Sequence, residues 1–191
     1  MAASSSLIFI TGGVRSGKSS FAERLATEFA DKTGGKLTYI ATGVPSDREM
    51  KLRIEKHQRD RLAKGSIWRT LEQPVNIGDL ASKISENDII LLDCVTTLLN
   101  NQLFVANRNL DESDLAAVKE RIQTGIMELR NRAKTVIVVS NEVLHEPIFH
   151  DHFILMYGKL LGQIHQFLVN LADQAYLVEA GIPIMMKGMR Q

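Results

Sequence analysis

Four stretches of this chain are almost unbroken runs of apolar residues: 7–11 (LIFIT), 36–42 (KLTYIAT), 88–96 (DIILLDCVT) and 135–143 (TVIVVSNEV). Each ends in small or polar residues. A strand with one wet face would alternate apolar and polar positions. These do not, so they predict strands buried on both faces of a parallel sheet. Two later runs, 175–181 (AYLVEAG) and 183–187 (PIMMK), predict two more strands placed as a hairpin, and 67–72 (IWRTLE) is a weaker strand signal. Between the strands the period changes. Phe21, Leu25 and Phe29 recur every four residues, and Leu115, Val118, Ile122, Ile126 and Leu129 recur at helical spacing. Phe153 to Leu171 reads as a long apolar helix, with Gly158 and Gly162 as points where it could kink, and 107–114 (NRNLDESD) reads as a loop. Strands alternating with helices predict an α/β fold, a mainly parallel sheet with helices on both faces. Both sides of 107–114 belong to one alternating pattern, so a single domain is expected over 7–191, preceded by a flexible tail at 1–6.

Composition narrows the class. A chain of 191 residues with 45% hydrophobic and 24% charged residues suits one ordinary globular core. A net charge of +1 supplies no global field for nucleic acid or an acidic membrane, so neither is expected as a partner. The single cysteine, Cys94, excludes an intramolecular disulfide and suits a reducing cytoplasm. The opening MAASSS has neither the basic nor the apolar region of a signal peptide. No apolar run approaches the roughly 20 residues that span a bilayer.

The chemistry is concentrated after the first strand. Gly12, four residues, then Gly17, Lys18 and Ser19 give the spacing of a phosphate-gripping loop between a strand and a helix. The loop runs Gly12, Gly13, Val14, Arg15, Ser16, Gly17, Lys18, Ser19. Its amides would wrap a β-phosphate, helped by the positive end of the following helix. Lys18 would reach the β and γ oxygens, and Ser19 would hold Mg²⁺. Asp93 ends an apolar strand and is the expected second metal-linked acid. Asn141 and Glu142 end another strand and are expected at the same carboxyl edge, where open α/β sheets bind ligands.

The segment 46–64 is strongly charged, as solvated helix faces are, yet Met50, Ile54, His57 and Arg61 share one stripe. His57 is then either a surface residue or a nucleophile, with Arg59 and Arg61 near enough to neutralise departing phosphates. His145, His150 and His152 crowd a segment containing Pro147, but no spacing there suggests zinc; His165 lies on the apolar helix as a core or interface residue.

Taken in order, ITGGVRSGKSSFAE, YIAT, EMKLRIEKHQRDR, WRTLE, ILLDCVTTLLNN, SNEV and ADQAYLVEAGIP resemble the bifunctional adenosylcobinamide kinase/adenosylcobinamide-phosphate guanylyltransferase family of cobalamin biosynthesis. The likeness runs over about residues 7–187. It implies a RecA-like P-loop NTPase fold, a cytoplasmic homotrimer, a corrinoid substrate, ATP and GTP as nucleotide substrates, and Mg²⁺ on Ser19 and Asp93. It implies two reactions: phosphorylation of adenosylcobinamide, then transfer of GMP from GTP through a guanylyl-histidine to give adenosylcobinamide-GDP. The family's histidine maps to His57 in Arg53-Ile54-Glu55-Lys56-His57, and Lys18 serves both steps. Its nucleotide contacts map to Gly12–Ser19, to Ala41, Thr42 and Gly43, to Gln58, Arg59, Asp60 and Arg61, to Glu72 and to Asp93. The chain departs from the family where a glycine-rich turn often follows N-E-V, which here reads LHEPIFHD, and where the acid is often Glu, which here is Asp93. The residues alone also allow a P-loop kinase without the guanylyl step, or a regulatory nucleotide-binding protein.

Overall fold

The structure is a computed structural model describing residues 5–43, 66–106, 111–143 and 152–188. Along them run β1 (Ser6–Gly12), α1 (Lys18–Thr33), β2 (Lys36–Ala41), β3 (Trp68–Glu72), a 3₁₀ helix (Ile77–Lys83), β4 (Asp88–Asp93), α2 (Val95–Ala106), α3 (Glu112–Arg132), β5 (Thr135–Asn141), α4 (His152–Leu171), β6 (Gln174–Glu179) and β7 (Ile182–Lys187). The strands form one sheet in the order β3-β2-β4-β5-β1-β6-β7. Neighbours are parallel throughout, except that β7 turns back antiparallel on β6.

The four apolar runs lie side by side in the middle of this order, which is why they lack alternation. Ile8, Ile10, Ile89, Leu91, Ile137 and Val139 point to one face, where Ala22, Ala26, Phe21 and Leu25 of α1 cover them. Phe9, Ile90, Leu92, Val136 and Val138 point to the other, under α2, α3, α4 and the 3₁₀ helix. Each such side chain contributes roughly 1.5–3 kcal/mol by leaving water. β3 is an edge strand with Arg69, Thr70 and Glu72 exposed, which explains its weaker sequence signal. The α/β expectation, the mainly parallel sheet and the helices on both faces are borne out.

Several boundaries differ from the sequence reading. The strand expected over 88–96 stops at Asp93, and Val95–Ala106 is helix. Val95, Thr96 and Thr97 carry strand propensity straight past the strand's end. The helical stripe that wins is Val95, Leu98, Leu99 and Leu103, all buried. β5 likewise stops at Asn141 and β2 at Ala41. The expected loop 107–114 holds the start of α3: Asp111 accepts from the Asp114 amide while Asp114 accepts from the Asp111 amide, a capping box. Ser6, assigned to the tail, is the first residue of β1 and its amide donates to Lys134 O at 3.1 Å.

Candidate active site

β1 ends at Gly12 and the chain turns sharply before α1 begins at Lys18. Ser16 N–H donates to Gly13 O at 3.2 Å, and Gly17, with φ of 91°, caps the helix in the left-handed region that glycine tolerates. No side chain caps this helix start, and its first turn holds no acid. The first-turn amides therefore remain available to an anion from outside the helix. Lys18 folds back over the turn: it is 5% exposed, and Nζ donates to Gly13 O at 3.0 Å.

A second element braces this turn. Ala180 (φ 49°) and Gly181 (φ 83°) form the two-residue turn between β6 and β7, with the paired positive φ values of a type I′ hairpin. The Gly181 amide donates to Ser16 O at 2.8 Å. A Cβ on Gly12 would overlap the carbonyl oxygen of Val178, and one on Gly17 would lie 3.2 Å from Gly181 Cα. The hairpin thus lies directly against the loop, and at Gly17 and Gly181 backbone meets backbone where both sides lack side chains.

Next to the loop stand the ends of β2, β4 and β3. Ala41 is in register with Asp93 on one side and Glu72 on the other. The Tyr39 hydroxyl donates to Asp93 Oδ2 at 3.0 Å, fixing that carboxylate while leaving its second oxygen. Thr42 locks the following turn: its amide donates to Asp93 O at 3.2 Å, and its hydroxyl lies 2.9 Å from both the amide and the carbonyl of Cys94. Asn101 of α2 then donates to Thr42 O at 2.8 Å and to Pro74 O at 3.0 Å. Gly43 follows Thr42 and is the last described residue before 66.

The Cys94 thiol reports the electrostatics here. Burial pushes its pKa up most, the Asp93 charge adds to this, and hydrogen bonding to Thr97 and the charge of Lys18 oppose it. The loop lysine and the strand acid are therefore both felt at one buried sulfur, which stays a thiol. On the other side of the loop, Asn141 is in register with Gly12, and the Glu142 amide donates to Gly12 O at 2.8 Å. The structure brings Gly12–Ser19, Ala41, Thr42, Asp93, Asn141 and Glu142 to one sheet edge, with Glu72 at its exposed margin. His57, Gln58, Arg59, Asp60 and Arg61 lie outside the described residues, as do His145 and His150. His152 opens α4. His165 is buried, as expected for a core residue.

For a cation, Ser19 and Asp93 offer hard oxygen donors, which suit Mg²⁺ with its remaining positions filled by water and phosphate oxygens. Among the described residues no three His, Cys, Asp or Glu side chains gather as a metal site. A site made of one hydroxyl and one carboxylate is consistent with a metal that arrives with the nucleotide. Sequence reasoning gave no role to Tyr39, to Asn101 or to the turn of the expected hairpin, Ala180–Gly181. All three lie in the stretches YIAT, ILLDCVTTLLNN and ADQAYLVEAGIP, but their partners become visible only once register is known.

Residues 8–186 match the family described as cobinamide kinase / cobinamide phosphate guanyltransferase. The bifunctional adenosylcobalamin biosynthesis protein CobU of Escherichia coli (strain K12) is 34% identical over 189 residues, covering 95% of this chain and 99% of that protein. The bifunctional adenosylcobalamin biosynthesis protein CobP of Pseudomonas aeruginosa is 34% identical over 180 residues, covering 94% and 96%. Among solved structures, an ATPase domain superposes with a TM-score of 0.51 at 14% identity, covering 91% of this chain and 69% of that one, a likeness of fold alone.

Proposed function

The chain belongs to the cobinamide kinase / cobinamide phosphate guanyltransferase family, and from that premise we propose that it carries out both reactions of that name. It phosphorylates the aminopropanol hydroxyl of adenosylcobinamide with ATP or GTP. It then joins GMP from GTP to the resulting phosphate, working as a cytoplasmic homotrimer. The observation that supports this most is the coincidence of a whole-length family match with a loop whose lysine and neighbouring acid stand at one sheet edge.

In the first reaction the Gly12–Ser19 amides and Lys18 hold the triphosphate and offset the charge that spreads over the transferred phosphoryl group. Tyr39 keeps the Asp93 carboxylate oriented. Ser19 and Asp93 would hold Mg²⁺, which when bound adds positive charge against the β and γ oxygens. Ala41, Thr42, Gly43 and Glu72 contact the nucleotide from the β2–β3 side.

In the second reaction a ring nitrogen of neutral His57 attacks the α-phosphorus of GTP. A P–N bond forms, the bond to the bridging oxygen breaks, and pyrophosphate leaves, its charge met by Arg59 and Arg61. A phosphate oxygen of adenosylcobinamide phosphate then attacks the same phosphorus, and the P–N bond breaks to return neutral His57. Gln58 and Asp60 complete the nucleotide contacts.

The test is incubation with α-labelled GTP followed by denaturing electrophoresis. The wild-type protein should keep a label that is acid-labile and alkali-stable, as a P–N bond is. His57→Ala and His57→Asn should both lose the label and the formation of adenosylcobinamide-GDP while still phosphorylating adenosylcobinamide. A label that survives acid, or persists undiminished in His57→Ala, would mean that the nucleophile is another residue.

A further inference from the structure

Behind the carboxyl edge runs a chain of buried hydroxyls that does not touch the loop. His165 Nε2 on α4 lies 2.8 Å from Ser140 Oγ on β5. Ser140 Oγ lies 3.0 Å from Thr96 Oγ1 in the first turn of α2. Thr96 Oγ1 accepts the Asn141 amide at 2.7 Å. Two contacts brace the ends: the Phe9 ring of β1 meets the imidazole at 5.3 Å between centroids, and the Tyr157 hydroxyl donates to Thr96 O at 3.2 Å. Ser140 is fully buried and His165 is 8% exposed, so water does not compete freely for these bonds. Burial also holds the imidazole pKa below its ordinary value against the opposing charge of Glu142, which keeps the ring neutral.

With the His165 proton on Nδ1, one run of donors connects the chain: Thr96 accepts from the Asn141 amide and donates to Ser140, and Ser140 donates to the bare Nε2. Reversing it turns the Thr96 proton out of the chain. In that arrangement His165 is the terminal acceptor on which two buried hydroxyls and one backbone amide depend. That amide belongs to the residue in register with Gly12, one position before the residue whose own amide donates to Gly12 O. Thr96 sits three residues after Asp93. The chain therefore joins the end of β5 to the start of α2, the elements that adjoin the phosphate loop and the strand acid.

We infer that His165 is a positioning residue for the phosphoryl-transfer step, acting through Ser140 and Thr96 on the end of β5 beside the loop. The inference rests on the kinase reading above. A side chain that merely fills the core would be replaceable by an apolar one of similar size; a terminal acceptor would not.

The experiment compares His165→Leu with His165→Asn, whose carboxamide can still accept a hydrogen bond. Kinase kinetics are read with adenosylcobinamide and ATP, and amide hydrogen exchange at Asn141 is read in the protein without substrates. His165→Leu should lower kcat by about tenfold with the KM for ATP within about twofold, the pattern of a loss felt in the transition state rather than in binding. Its Asn141 amide should exchange at least about tenfold faster, as expected once its acceptor is no longer held. His165→Asn should recover most of both. If His165→Leu does not fold, Ser140→Ala removes the middle link with little change in volume and should give the same two changes. A folded His165→Leu with unchanged kcat, unchanged Asn141 exchange, or losses that His165→Asn does not relieve would overturn the inference. Should the wild-type protein phosphorylate no adenosylcobinamide, the kinase reading fails, and the exchange at Asn141 alone decides whether His165 holds the strand end.

Discussion

Lys18 is the residue on which both reactions converge. Its Nζ is held over the loop by Gly13 O and is nearly removed from water. Lys18→Ala should abolish cobinamide phosphorylation and GTP self-labelling together. The lost charge-assisted contact alone is worth about 1.5–3 kcal/mol. Near-normal turnover by a folded Lys18→Ala protein would remove the loop from the mechanism. Tyr39 acts more mildly. Tyr39→Phe deletes the hydroxyl on Asp93 Oδ2 and keeps the ring against Trp68. Stability should fall by about 0.5–1.5 kcal/mol in a denaturant titration, and the Mg²⁺ concentration needed for half-maximal kinase rate should rise. An unchanged Mg²⁺ requirement would mean that the tyrosine does not orient the acid. The two residues also differ in how far sequence reveals them. Lys18 is marked by a local spacing that any reader of the chain can find. Tyr39 lies 54 residues from Asp93, and only the β2–β4 register brings them together.

At the scale of elements, the sheet interior was legible and the junctions were not. Strands covered on both faces leave continuous apolar runs, so β1, β2, β4 and β5 stand out. α2 does not, because its β-branched first turn continues the strand before it. The brace between the β6–β7 turn and the phosphate loop leaves no local mark, since it joins Ser16 to Gly181 through backbone atoms. It makes a prediction: Gly12→Ala forces its new methyl against the Val178 carbonyl and must push loop and hairpin apart. Triphosphate binding should be lost in calorimetry while far-UV circular dichroism stays native. Retained affinity would show that the brace is dispensable. The amino end of β4 carries a different junction. Asp88 is buried, which raises its pKa, but the Ser85 amide and hydroxyl, the Thr38 hydroxyl and the Arg69 guanidinium outweigh this and hold it below the ordinary carboxylate range. Its folded value is below its unfolded one, so its stabilisation is complete above about pH 4 and lost as pH falls through the folded value. In thermal melts below about pH 4 the wild type should lose Tm more steeply than Asp88→Asn. Parallel slopes would show that Asp88 does not carry the acid sensitivity.

For the whole molecule, no described helix is long and apolar enough to cross a membrane. Light scattering should give three times the chain mass, and a monomer at micromolar concentration would remove the trimer from the reading. The sheet order has one more consequence, and it concerns time rather than space. β1 is made well before its two neighbours in the sheet, β5 and β6, and its loop is braced by Gly181, which comes later still. A ribosome extending this chain at about 5–20 residues per second therefore makes the glycine loop several seconds before β5, β6 and the closing hairpin exist. A loop that emerges ahead of the strands and the hairpin that brace it is completed as a unit only late, once the closing hairpin has been made.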